Sequence, residues 1–431
     1  MLDSFRDAFR LPDLKRRILF TLAALFVYRL GAHMPTPGVD AAALGKLFEQ
    51  GGVLGFLDLF AGGALSRFSI FALGVTPYIN ASIVMQLLAV VVPSLEKMQK
   101  EGEEGRKKVV QYTRYGTIAF ALIQAVGMTG WLRNLGIFTG SWMDIALVAV
   151  TLTTGAVAVM WLGEVMSDHG IGNGISLLIF AGIVARIPEA IIRTFTLVRL
   201  GEMNILVVLI ALAIMVAVVA GCVMLQEGQR RLPVQYAKRM VGNKMYGGQS
   251  SFIPLRVNTA GVIPIIFASS VLLFPYTIAG LFKHDLAQVV QKAFSPSSPI
   301  YMILYVAMIV FFSYFYTAVV FKPEDISTNM KKNGGFILGI RPGRPTTDYI
   351  EKVMGRITLG GAVALAVVAV VPTMMTGLMN INTFYFGGTA VIIVVGVALD
   401  TVHQIEGQLI MRHYEGILKR RGGKTGGLLR L

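Results

Sequence analysis

Apolar runs dominate this chain, and their lengths predict helices that cross a membrane. Ten such runs lie at about residues 18–35, 69–92, 115–135, 143–164, 174–195, 204–225, 258–281, 299–321, 357–377 and 386–405. A crossing helix needs about 20 apolar residues, and two runs fall short. The apolar core of "GISLLIFAGIVARIP" ends at Arg186, and that of "GGTAVIIVVGVALD" ends at Asp400. Polar stretches punctuate the runs: a charged head at 1–17, long connectors at about 226–257 and 322–356, and a basic tail at 411–431. The pattern predicts an all-α integral membrane protein of two halves, 18–200 and 201–410, with five spans in each.

Two spans carry the same interruption. "GVTPYINAS" (74–82) and "GVIPIIFAS" (261–269) agree at six of nine positions. Proline removes a backbone donor and clashes with the preceding helical turn, so Gly74/Pro77 and Gly261/Pro264 read as breaks within the second and seventh spans. Five spans separate the copies, which makes them related by inversion. Inverted-topology repeats present themselves this way, with the working site near the midplane between the halves. The short fifth and tenth spans match in the same manner. The competing explanation is coincidence, since glycine and proline often punctuate membrane helices.

Charge orients the chain. Ten spans put both termini on one side, and that side holds thirty of the 39 Lys and Arg against eight in the opposite loops. The positive-inside rule makes the rich side cytoplasmic, which also accounts for a net charge of +15. Only 15% of the residues are charged and 55% are hydrophobic, whereas a soluble domain is nearer a quarter charged. No cleavage site for a signal peptide is evident after the charged head. The single cysteine, Cys222, excludes an intramolecular disulfide framework.

The interrupted and short spans offer branched apolar residues rather than ligands. These are Val75 and Ile79, Ile175 and Ile179, Ile266, and Ile393. The first two pairs are spaced i,i+4 and each presents one helix face. Such residues usually face lipid or core; a ring of them can instead gate a pore by excluding water. Between the first two spans, "GGVLGFLDLFAGGALSRFS" (51–69) is too short to cross and offers a small apolar face from Leu54, Leu57 and Phe60. It is either an ordinary external loop or a re-entrant segment enclosed by protein, the only setting in which such backbone is tolerated. In the long connectors, Arg230, Arg231, Lys238, Arg239 and Lys244 lie among tyrosines. They are either a solvated basic loop or a docking face for an anionic partner such as a phosphate backbone.

Familiar chemistry is missing. "HGIGNGIS" lacks the strand–turn–helix setting of a dinucleotide site. "GGKT" near the tail has Leu418 where a phosphate loop needs its first glycine. Five scattered histidines and one cysteine predict no metal site, no cofactor is implied, and no paired carboxylates lie in the spans. No enzyme is expected.

Longer motifs carry a resemblance. "SIFALGVTPYINASIVMQLL", "KEGEEGRKKVVQYTRYGT", "HGIGNGISLLIFAGIV", "QRRLPVQYAKR", "AGVIPIIFASS" and "GIRPGRPT" resemble the SecY family, the channel-forming subunits of the bacterial Sec translocon. The resemblance runs from the head to "RHYEG". It implies ten spans in two inverted halves around an hourglass pore in the cytoplasmic membrane. The ring positions it implies are Val75, Ile79, Ile175, Ile179, Ile266 and Ile393, with a plug near 54–66. It implies a lateral gate between spans two and three and spans seven and eight, through which signal sequences and nascent membrane segments reach lipid. Implied partners are the membrane subunits SecE and SecG, the ATPase SecA, and the ribosome through its RNA. Arg341 in "GIRPG" matches a position important for SecA-driven transport. The tip "GNKMY" departs from the family, with Asn243 beside Lys244 where other members often carry two basic residues. Two other classes fit inverted repeats or many spans: a small-solute transporter, which needs a polar midplane site, and a purely structural subunit, which needs no ring.

Overall fold

A helix meets each of the ten apolar runs. The computed structural model describes residues 11–37, 39, 44, 58, 61–134, 136–138, 140–236, 239–241, 244–246, 250–279, 285–295, 298–379 and 388–425. The spans are helices Pro12–Gly31, Thr76–Val91, Glu103–Asn134, Trp142–His169, Gly174–Val184 with Ile187–Arg199, Ile205–Glu227, Ile263–Ala279, Pro299–Val320, Arg344–Met379 and Gly388–Thr425. Among the described residues, seven of these are by themselves long and apolar enough to cross a membrane. The first is diluted by Asp13, Lys15, Arg16, Arg17 and Arg29. The second is short and turns by 99° at Val92 into Pro93–Lys100. The seventh is short as well.

Two expectations about span length are corrected. The fifth span is not short, because helix resumes at Ile187 beyond a turn at Ala185–Arg186 and gives a segment of 26 residues, Gly174–Arg199. The tenth runs through Asp400 to Met411 as a span of 24 residues. At Asp400 a charged side chain does not interrupt helical hydrogen bonding, so the end of that apolar run is not the end of the helix. Pro188, which lacks the N–H a helix interior uses, stands at the second position of the resumed helix.

The repeated motif is also corrected, from a break within a helix to a helix start. Pro77 and Pro264 lie in the first turn of Thr76–Val91 and Ile263–Ala279. Their missing N–H is one that no residue would accept from there, and their fixed φ suits the helix. Gly74 and Gly261 precede them with φ of 54° and 64°, a left-handed conformation that glycine adopts without penalty. The second-span helix has 16 residues, about 24 Å at 1.5 Å per residue, against about 30 Å of hydrocarbon. Non-helical residues 61–75 precede it.

The long connectors fold into a small sheet rather than loops. β1 (Gln229–Tyr236) pairs antiparallel with β4 (Ser250–Arg256), Gln229 opposite Arg256, and on its other edge with β5 (Gly335–Phe336). β2 (Arg239–Val241) and β3 (Lys244–Tyr246) form a separate pair. Leu232, Val234 and Leu255 point to one face and pack with Met330 of helix Pro323–Lys332, Ile337, and Ile350, Val353 and Met354 of the ninth helix.

The chain divides into two units, residues 1–192 with 397–431 and residues 193–396. In the first, the core gathers Ala61, Leu65, Phe68, Ala121, Ala125, Val148 and Leu152. The end of the tenth span belongs to this unit because Gln404 Oε1 accepts from Gly172 N at 2.9 Å and Ile405 packs with Leu14 and Ile171. In the second, the eighth helix packs against both the seventh and the ninth, and Ile309, Phe312, Ala366 and Ala369 of the eighth and ninth are buried.

Glycine marks a tight approach in the first unit's core. A Cβ on Gly155 of the fourth span would lie 2.0 Å from the carbonyl oxygen of Ile70. Gly155→Val is expected to lower stability by about 1–3 kcal/mol, the range for overpacking a well-filled site, measured by thermal unfolding of the detergent-solubilised protein; an unchanged transition would show that segment 61–75 yields freely.

Candidate pore and closure site

Val75, Ile79, Ile175, Ile179, Ile266 and Ile393 all sit at or near helix starts. Val75 caps the second-span helix, and its carbonyl accepts from Ile79 N at 3.1 Å. Asn173 holds the start of the fifth span, its side chain accepting from Ile175 N at 3.1 Å and Ser176 N at 3.2 Å. Ile266 N bonds back to Val262 O at 3.2 Å, and Ile393 lies in the second turn of the helix that begins at Gly388. Val75, Ile79, Ile179, Ile266 and Ile393 are buried and Ile175 is half-buried. Four belong to one unit and two to the other. In the first unit Ile175 packs against Gly163 of the fourth span, where a Cβ would lie 2.7 Å from its Cγ1.

Leu54, Leu57 and Phe60 lie outside the described residues. The described remainder of that segment is not an ordinary loop: Ala61, Ala64, Leu65 and Phe68 are buried in the first unit's core. Backbone there finds partners inside the protein, Ser69 N to Ala64 O at 2.8 Å, Ile70 N to Met34 O at 3.0 Å and Thr36 N to Phe68 O at 2.9 Å. This is how non-helical backbone survives at membrane depth.

Four residues that sequence reasoning missed fasten this segment. Asp58 is wholly buried. Its Oδ1 accepts from Leu65 N at 2.9 Å and Ser66 N at 3.0 Å, and its Oδ2 is paired with the guanidinium of Arg186 on the fifth span. Arg29, in the last turn of the first span, donates to Gly62 O at 2.8 Å, and Tyr28 donates to Ala61 O at 3.4 Å. A buried carboxylate is tolerated only when paired and hydrogen-bonded, and an unpaired arginine at the centre of a span costs about 2.5–3.5 kcal/mol. Each charge therefore explains the other. The signal was present in the sequence: Asp58 and Arg67 are the only charges in 51–69, and Arg186 ends an apolar run.

The basic candidates ride on the sheet. Arg230 and Arg231 are exposed on β1, and Arg231 stacks its guanidinium over Phe252 of β4 at 4.7 Å. Arg239 and Lys244 belong to the backbone of β2 and β3; Lys238 lies outside the described residues. Arg341 is exposed in a turn framed by Gly339 and Gly343, with φ of 81° and 105°. Thr346 Oγ1 donates to Arg341 O at 2.8 Å, and Ser327 Oγ donates to Gly343 O at 2.8 Å. The turn is thus held from two helices. Among the described residues no cluster of His, Cys, Asp or Glu is placed to hold a metal.

A bundle of apolar helices with a buried, charge-fastened re-entrant segment and a basic sheet module defines a polytopic membrane protein of the translocation-channel fold. The comparisons give the family. The SecY family profile matches residues 69–402. The chain is 46% identical over 429 residues to a protein translocase subunit SecY of Vibrio cholerae, covering 97% of this chain and 96% of that one. It aligns with a solved structure described as a SecY whose plug domain stabilises the closed channel and maintains a membrane seal, at a TM-score of 0.68 and 19% identity over 92% of each chain. It also aligns with Sec61 in a canine ribosome–channel complex, at a TM-score of 0.63 and 17% identity over 92% of this chain and 93% of that one. The chain belongs to the SecY family.

The Arg341 turn supplies a test of how it is held. Ser327→Ala removes one hydrogen bond, worth about 0.5–1.5 kcal/mol. Amide exchange at residues 343–347 is expected to accelerate up to about tenfold, with the sheet unaffected; unchanged exchange would mean that the ninth helix alone fixes the turn.

Proposed function

We propose that this chain is a protein-conducting channel of the bacterial cytoplasmic membrane, with both termini cytoplasmic. It passes unfolded secretory polypeptides and releases apolar segments sideways into lipid. The observation that carries this reading is the buried, non-helical segment 61–75, which leads directly into a helix start bearing Val75 and Ile79. A small-solute transporter would place an acid, a base or a coordinating cluster at such a start; the two motif copies contain none.

Val75, Ile79, Ile175, Ile179, Ile266 and Ile393 form the ring in this reading. Branched apolar side chains exclude water and ions by dewetting. With no fixed polar ligands, they pass a cargo whose side chains change from residue to residue. The segment about 54–66 closes the channel at rest. Spans two and three part from spans seven and eight to admit cargo to lipid. There a Leu- or Ile-rich segment gains a few tenths of a kcal/mol per residue, while each central charge costs roughly 2.5–3.5 kcal/mol. That balance selects release or passage.

The channel performs no chemistry, so a partner supplies the energy: SecA or the ribosome, with SecE and SecG completing the membrane complex. Basic residues of β1, of the β2–β3 pair and of the Arg341 turn dock those partners, with phosphate backbone as the ribosomal target. Fold likeness to a ribosome-bound channel supports this.

The test removes Cys222, places a cysteine by Ile79→Cys, and stalls a secretory chain bearing one cysteine in transit. A disulfide that forms only with the stalled chain is the expected result. If links form at outward-facing control positions and not at residue 79, the reading fails. Ile79→Gly together with Ile266→Gly is expected to raise resting ion conductance in a bilayer; wild-type conductance would exclude the ring.

A further inference from the structure

Asp58 and residues 61–64 are held differently from the rest of the re-entrant segment. From Leu65 onward the side-chain attachment is apolar, through Leu65, Phe68, Ala72 and Leu73 in the core. Among the described residues just before Leu65, Ala61 and Ala64 are small buried side chains beside the buried Asp58, and the side-chain fastenings to other spans are polar. The fifth span supplies Arg186, bound to Asp58 Oδ2. The first span supplies Arg29, bound to Gly62 O, and Tyr28, bound to Ala61 O.

The backbone at Gly62 and Gly63 lies directly on the fifth span. A Cβ on Gly62 would approach Gly182 Cα to 2.7 Å, and one on Gly63 would lie 3.6 Å from Arg186 Nε. Both glycines are left-handed, with φ of 64° and 84°. Arg29 of the first span thus bonds this glycine pair, Arg186 of the fifth lies beside it, and Asp58 is the acid that Arg186 faces. Glu189, one helical turn beyond Arg186, lies close enough to act on Arg29. The Arg186 side chain is 22% exposed whereas Asp58 is fully enclosed.

We infer that the Asp58–Arg186 pair is a charge latch that keeps the closing segment docked on the fifth span, and that its release sets how readily the channel opens. The inference rests on the closure reading given above. Apolar packing of Leu65 and Phe68 is the anchor that stays, and residues 58–64 are the part that leaves. Apolar contacts loosen gradually as surface is exposed, whereas an enclosed ion pair has two states, because a half-separated buried charge is neither solvated nor paired. The latch thus gives the segment a threshold. Cargo must bind the open channel well enough to offset the loss of this pair, so the pair determines which segments are sufficiently apolar to enter.

Asp58→Asn isolates the charge, since its amide oxygen still accepts from Leu65 and Ser66 N–H. Resting conductance of the full-length channel, purified with its membrane partners, is measured in planar bilayers for Asp58→Asn, Arg186→Gln, both together, Arg186→Lys and Gly62→Val. Each neutralising single variant is expected to raise conductance at least about tenfold. The double variant should be no leakier than the leakier single, because both remove the same interaction. Arg186→Lys, which keeps the charge, should stay within about twofold of wild type. Gly62→Val undocks the segment by steric clash without touching a charge.

If the neutral variants match wild type while Gly62→Val leaks, the segment seals but the pair does not hold it, and the latch is overturned. A double variant whose leak is the product of the singles, or an Arg186→Lys leak equal to that of Arg186→Gln, overturns it as well, since packing rather than charge would then be at stake. If Gly62→Val and both neutral variants all stay sealed, the segment is not the closure, and the reading beneath the inference falls with it.

Discussion

A peptide group that leaves helical geometry inside a bilayer must find its hydrogen-bond partner within the protein, because lipid supplies none; the first unit is organised around meeting that demand at residues 61–75. The second-span helix is too short to cross alone, and the chain ahead of it is turned rather than helical. Its backbone is satisfied by its own turns, by Met34 O and by the N–H of Thr36. Its side chains fill the core between the third and fourth spans, where Gly155 lets Ile70 approach. A uniform helix would meet the same demand more simply. In the proposed closure, what the irregular segment adds is a piece of chain that leaves its place without unravelling a span.

Charge follows the same logic. Asp58, Arg186 and Arg29 lie where an unpaired ion is costly, and each has a partner across spans. Arg114 and Glu164 repeat the arrangement between the third and fourth spans, with Nε to Oε1 at 3.0 Å and Nη2 to Oε2 at 2.8 Å. Two parallel bonds fix orientation as well as distance, so this pair splices two helices. The Asp58 pair instead joins a span to the start of the re-entrant segment.

Much of this was legible in the residue pattern, and the failures share one cause. Each of the ten apolar runs does mark a helix. The runs misplace span ends, however, because apolarity reports contact with lipid or core, while helix resumes at Ile187 just past Arg186 and runs unbroken through Asp400. Gly74 and Pro77 were visible, but a proline in a broken helix and a proline in a first turn look alike until the φ of the preceding glycine is known. In the connectors, alternation in "QRRLPVQY" was outweighed by their basic residues; only the inward pairing of Leu232 and Val234 with Leu255 discloses a strand. Asp58 and Arg186 lie 128 residues apart, and no local pattern joins them.

The two copies of the motif show why a channel can use a helix start where a transporter uses a broken helix. A left-handed glycine stops one course of the chain, and a first-turn proline starts a helix at once without an unmet donor. Branched residues at the next positions then stand in the first turns of that helix, behind a proline of fixed φ. In the second span Val75 and Ile79 are tied by a backbone bond, and beyond them Ala81 meets Gly116 closely, a Cβ there falling 3.3 Å away. Small residues at such a seam let helices lie close with little interlocking of side chains. The motif therefore combines a rigid apolar end with a smooth flank. The proposed gate, which seals against ions and yet slides open, needs both properties in the same few residues, and the motif occurs in both halves of that gate.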